Sequence, residues 1–80
     1  MVMQVKIKSM YGKETVRLPV ATPITSLRTD HLRRYGVKGL GHLYAVLLDG
    51  AVLYPSATLE QLGVPEDAEL TVVLMQATAI

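Results

Sequence analysis

Cysteine, tryptophan and phenylalanine are all missing from the sequence, and each absence closes off a class of answer. Without cysteine there is no disulfide framework, no thiolate metal site and no cysteine nucleophile. That suits a reducing compartment, and the expected location is intracellular, cytoplasmic or nuclear. Uninterrupted apolar runs are only a few residues long, far short of the roughly 20 a membrane-spanning helix needs. The opening Met1-Val2-Met3-Gln4-Val5-Lys6 alternates and lacks the basic-then-apolar order of a signal peptide. The aromatic residues are four tyrosines spread along the chain, which offers no evident platform for stacking bases. The 80 residues are 50% hydrophobic and 19% charged, the composition of one small globular domain whose single core is only just sufficient.

The formal net charge of +1 hides an asymmetry. Residues 1–40 hold all eight basic groups (Lys6, Lys8, Lys13, Arg17, Arg28, Arg33, Arg34, Lys38) against Glu14 and Asp30, a balance of +6. Residues 41–80 hold Asp49, Glu60, Glu66, Asp67 and Glu69 with no Lys or Arg, a balance of −5. Such a split can mark a nucleic-acid surface or a dipole used in docking. Because no block of five or six like charges occurs, the halves are expected to fold together and pair their charges.

Val5, Ile7 and Ser9 alternate with Gln4, Lys6 and Lys8, the period-2 pattern of a half-buried strand. Tyr11-Gly12-Lys13 places a glycine where a tight hairpin turn needs positive φ. A second strand follows, with Val16, Leu18 and Val20 on one face and Thr15, Arg17 and Pro19 on the other. Pro19 has no ladder donor, so it belongs at a solvent-facing edge or a strand end. Thr22 as N-cap and Pro23 at the first helical position predict a helix that Gly36 stops. Its stripe is Ile24, Leu27, His31 and Tyr35, with Leu32 beside it and Arg33 and Arg34 away from it. Residues 37–41 read as a loop.

Tyr44, Val46 and Leu48 predict a strand closed by an Asp49-Gly50 turn, with a short strand at Ala51-Val52-Leu53. Ser56 or Thr58 can start a one-turn helix through Leu59 and Leu62, ended by Gly63. Leu70-Thr71-Val72-Val73-Leu74-Met75 is the strongest β run in the chain. Its apolar density places it mid-sheet, parallel to the first strand. The expected class is α+β, a mixed sheet of four to five strands packed on one helix. One domain over residues 1–76 is expected, with 77–80 a frayed tail.

In this order the residues resemble ubiquitin and the ubiquitin-like β-grasp domains over about residues 3–75. The resemblance rests on the first hairpin with Gly12-Lys13 and on Leu47-Leu48-Asp49-Gly50-Ala51-Val52-Leu53. It continues through Ala57-Thr58-Leu59-Glu60-Gln61-Leu62-Gly63-Val64 and the last strand, Glu69-Leu70-Thr71-Val72-Val73-Leu74. It implies a β-grasp fold. It also implies that Met10, Leu47, Thr71 and Val73 correspond to the apolar patch with which such domains meet their receptors, threonine standing where that patch carries histidine. Conjugated modifiers and sulfur carriers of this kind end in Gly-Gly, whereas no glycine follows Gly63 here. The chain as it stands is therefore expected not to be a conjugated tag, the other reading being a precursor whose Gly-Gly end is absent.

Strand parity leads to the same surface. With Val46, Leu48, Val72 and Leu74 facing the helix, Leu47, Thr71, Val73 and Met75 face outward, and Met10 in the first turn leans over them. Flanked by Lys6 and Lys8, they form the expected protein-docking site. Ser9, Ser26, Ser56, His31 and His42 show no readable spacing for nucleophilic catalysis. Two histidines without a nearby acidic cluster make no metal site, and no glycine pattern cradles a phosphate. No enzyme activity, cofactor or metal is expected, and the partner is a protein rather than nucleic acid or a membrane. Lys6, Lys8 and Arg17 set against Asp49, Glu66 and Glu69 also allow a weak charge-driven self-association.

Overall fold

Alternation over the first nineteen residues produces the expected hairpin: β1 (Val2–Ser9) pairs antiparallel with β2 (Gly12–Pro19) from Val2↔Pro19 to Ser9↔Gly12. A computed structural model describes residues 1–75 of the chain, so the expected fraying of 77–80 lies outside the described residues. Met3, Val5 and Ile7 turn inward and are buried, while Lys6 is exposed. Pro19 ends an edge strand, where its missing N–H costs no ladder bond. Gly12 answers a different demand from the expected one. Its φ of 158° borders on extended backbone, but a Cβ there would sit 2.7 Å from the Tyr35 ring. Close approach of the helix end, rather than turn geometry, requires the glycine.

The helix α1 spans Ile24–Arg34 and buries Ile24, Leu27, His31 and Leu32. Thr22 does not cap it; the Thr22 hydroxyl donates to the Pro19 carbonyl at 2.7 Å. The first helical N–H groups instead meet a neighbouring loop, Ile24 donating to the Ala57 carbonyl and Thr25 to that of Pro55, each at 3.0 Å. These bonds satisfy donors that every helix start leaves open. The C-terminus closes as expected at Gly36, whose φ is 84°. Val37 N–H reaches back to the Leu32 carbonyl at 2.9 Å and Gly36 N–H to Arg33 at 3.0 Å, the paired bonds of a Schellman stop.

After a 3-10 turn at Gly41–Leu43 come β3 (Tyr44–Leu48), β4 (Ala51–Val52) and β5 (Glu69–Leu74). Asp49 and Gly50 both have positive φ, 52° and 81°, as a two-residue hairpin turn between right-twisted strands requires. The expected one-turn helix near Leu59 is a capped turn instead. Thr58 N–H donates to Gln61 Oε1 at 2.9 Å and Gln61 N–H to Thr58 Oγ1 at 3.1 Å, a capping box that encloses no further turns.

The sheet order is β2-β1-β5-β3-β4. Strand β5 lies parallel to β1 and antiparallel to β3, mid-sheet as its composition predicts. One face of the sheet wraps α1 around a core that includes Ile7, Leu27, Leu59, Leu70 and Val72. The inward set differs from expectation at one position: Leu74, at the end of β5, is 47% exposed rather than buried.

Candidate protein-docking face

The face of the sheet opposite α1 is uncovered, and register decides which residues meet there. Lys8 of β1 stands beside Thr71 of β5, and Thr71 beside Leu47 of β3. Leu47 in turn stands opposite Val52 of β4. This is one row across four strands, with Val52 65% exposed. Lys6 pairs with Glu69, and Val73 with Ala45, in the neighbouring rows. Leu47, Thr71 and Val73 are half-buried and Met75 is exposed. Met75 follows β5, its N–H donating to the Leu43 carbonyl at 2.8 Å, and it lines a groove with Ile24, Arg28 and Tyr44. The structure thus brings Lys6, Lys8, Leu47, Thr71 and Val73 onto one face. Met10 lies in the turn after β1 and is exposed. Val52 is the residue that parity reasoning missed; its pairing with Leu47 across the Asp49-Gly50 turn was the available signal.

Charge on this face is partly spent. Glu69 receives Lys8 Nζ at 3.1 Å and Lys13 Nζ at 3.7 Å. The Lys8 hydrogen bond, and then the charges of Lys8, Lys13 and Lys6, hold the Glu69 carboxyl below its ordinary range. Lys6 forms no ion pair among the described residues, so it keeps its charge available. Among the described residues the expected pairing of the two charged halves of the chain occurs only here. Arg33 pairs with Asp30 and Arg34 with Glu14, both within the first half.

Three comparisons bear on this arrangement. No family model matches the chain, and no curated protein matches it either. Solved structures do. The ubiquitin of Caldiarchaeum subterraneum superimposes with a TM-score of 0.80 at 18% identity, covering 99% of this chain and 100% of that one. The chain has the ubiquitin-like β-grasp fold. The ubiquitin-like domain of Plasmodium falciparum Dsk2 gives a TM-score of 0.75 at 20% identity over 92% of this chain and 99% of that one. A ubiquitin-like domain from Arabidopsis thaliana gives 0.75 at 19% over 99% and 83%.

Within this ubiquitin-like β-grasp the sheet also assembles a polar cluster that sequence reasoning missed. Nε2 of His31 lies 2.8 Å from Ser9 Oγ, and Nδ1 is hydrogen-bonded to Glu14 Oε2. Arg34 Nε holds the other carboxylate oxygen at 2.8 Å. A serine, a histidine and a carboxylate do therefore meet, contrary to the reading from spacing. Parity was the signal: Ser9 continues the inward face of β1 after Val5 and Ile7, and Glu14 precedes Val16 and Leu18 on that of β2. The order is that of a catalytic triad, in a setting closed to solvent at the ring. His31 is fully buried, and Ser9 Oγ also accepts the Tyr11 N–H at 3.1 Å. Four polar groups are thereby satisfied where the hairpin meets the helix.

At the same end of the β-grasp the hydroxyls of Tyr11 and Tyr44 are 2.6 Å apart. That hydrogen bond, and then burial, push the Tyr44 hydroxyl above its ordinary value. Among the described residues no three His, Asp or Glu side chains cluster as metal ligands. No described helix is long and apolar enough to cross a membrane.

Proposed function

We propose that the chain is a non-catalytic, ubiquitin-like protein-interaction module that docks a protein through the open sheet face. The observation that carries this reading is the row Lys8–Thr71–Leu47–Val52, set by strand register. It places an apolar strip beside a cationic flank on a rigid sheet. The partner buries Leu47 and Val73, with Met10 closing over the edge, and Lys6 and Lys8 steer the approach. Threonine at 71 replaces an aromatic cation-capable group by a small hydroxyl, which favours a partner unlike the standard receptors of ubiquitin.

The decisive experiment places a photo-crosslinking residue at Leu47 in the protein's own cells and identifies what it captures. Capture that disappears with Val73→Asp supports the face; capture indifferent to Val73→Asp and Lys6→Glu overturns it.

A second reading, a ubiquitin-like modifier or carrier precursor, draws on the superposition along the whole of the archaeal ubiquitin chain. Incubation with an activating enzyme and ATP decides: an adenylated or thioester-linked product favours the modifier.

A further inference from the structure

Part of the unpaired charge gathers at two places on the fold. At the end where α1 begins, Glu60 and Glu66 rim an open groove of about 430 Å³. Its floor is apolar, formed by Met3, Val20, Leu59 and Val64, and no Lys or Arg lines it among the described residues. Asp67 stands next to Glu66, and its N–H donates to the Gln4 carbonyl at 2.8 Å. None of Glu60, Glu66 and Asp67 forms an ion pair among the described residues.

The opposite end carries the complementary features. There α1 stops and the 37–43 segment leads into β3. Lys38 and His42 are exposed and form no ion pair among the described residues. Arg33 is exposed and shares only Asp30. Leu40 and Leu43 stand out among them at 47% and 39% exposure, two aliphatic side chains on a basic rim. The two sets form no ion pair with one another among the described residues. Contact between copies can bring them together.

We propose that a second copy of this chain is the occupant of the acidic-rimmed groove, which receives Leu40 and Leu43 while Lys38 and Arg33 meet Glu60 and Glu66. The contact joins two different surfaces, so it is heterologous and extends into a row of copies rather than closing as a two-fold dimer. It uses none of the residues of the open sheet face, which stays uncovered on every copy. An assembled row would present that face repeatedly, with the gain in avidity that repetition brings.

Sedimentation equilibrium on the purified chain tests this. At about 0.01 M salt the weight-average mass should climb with concentration above the 8.7 kDa monomer, and at about 1 M salt it should fall back towards it. Glu60→Lys with Glu66→Lys removes one end; Lys38→Glu with Leu40→Asp removes the other. All four positions are exposed, and circular dichroism verifies that each variant is folded. Each variant alone should remain a monomer, and an equal mixture should form a heterodimer of twice the monomer mass and stop there, because only one intact pair of ends is left. A wild-type chain that stays monomeric at low salt overturns the proposal. So does either variant assembling alone, or a mixture that stays monomeric while the wild type associates. Loss of partner capture through Leu47 would leave this result untouched, so the two readings fail separately.

Discussion

Ser9 Oγ and His31 Nε2, 22 positions apart in sequence, lie 2.8 Å apart and tie the first hairpin to the end of the helix. Glu14 holds the other ring nitrogen. Since His31 has no exposed surface, its replacement removes one partner each from Ser9 and Glu14 and opens a void. His31→Ala should cost about 3 kcal/mol and Ser9→Ala about 1 kcal/mol in urea unfolding. A fluorophosphonate reagent should leave Ser9 unlabelled in the folded protein; a stoichiometric adduct at Ser9 would show that the cluster is a working nucleophile.

Gly12 and Tyr35 make a second, steric link between the same elements. An added Cβ would lie 2.7 Å from the ring, and the Tyr35 hydroxyl donates to the Lys13 carbonyl at 3.2 Å. Gly12→Ala should swing the ring outward and cost about 1–2 kcal/mol. In a double-mutant cycle with Tyr35→Ala the two losses should be clearly less than additive. Simple additivity would mean that the backbone of Gly12, not the ring above it, carries the cost.

The Lys8–Glu69 pair predicts an acid response. The folded carboxyl titrates below the ordinary 4.5 because of the Lys8 hydrogen bond and the surrounding lysine charge. A depressed folded value contributes stability above the unfolded value, and that contribution is lost as pH falls through the folded one. The stability difference between wild type and Glu69→Gln should therefore be constant near neutrality and shrink below about pH 4.5. Carboxyl NMR titration of Lys8→Ala should move Glu69 back towards 4.5; an unchanged midpoint would reject Lys8 as the principal cause.

The two sides of β5 should separate binding from folding. Val72 is buried at 2% exposure, so Val72→Asp should unfold the domain. Val73 is half-buried on the open face. Val73→Asp should keep the native circular dichroism spectrum while weakening the partner at least about tenfold, the scale of a buried interface anchor. Equal loss of fold in both variants would show that Val73 serves the core.

Leu59 tests the capped turn that replaces a helix. It is wholly buried, and its N–H donates to the Thr22 carbonyl at 3.1 Å. Leu59→Ala should cost about 2–5 kcal/mol, whereas a surface change such as Gln61→Ala should cost only the capping bonds, about 1 kcal/mol. Thermal denaturation distinguishes them.

The legible parts of this molecule were those with a local cause. Alternation in β1 and β2, the Asp49-Gly50 turn and the Gly36 stop each follow from backbone preferences of neighbouring residues, and each is present. Thr22 shows where locality ends. Its hydroxyl finds the Pro19 carbonyl, because the loop carbonyls of Pro55 and Ala57 already occupy the helix start. Leu74 shows another limit. The strand pattern assigns it inward, but at the last position of β5 it remains exposed. On the docking face the sequence indicated parity, not neighbours: Val52 joins the row only through a pairing across a turn.

By itself the sequence determined the element order and which face of each strand is apolar, because periods of 2 and 3.6 are properties of short stretches of backbone. It also determined the imbalance of charge between the two halves of the chain. Only the tertiary structure decided that these charges mostly do not meet, that Ser9, His31 and Glu14 do, and that Lys8, Thr71 and Leu47 share a row. Those outcomes depend on strand register and on where the helix ends above the sheet. Both are settled by packing the whole core at once, and no stretch of the sequence contains them.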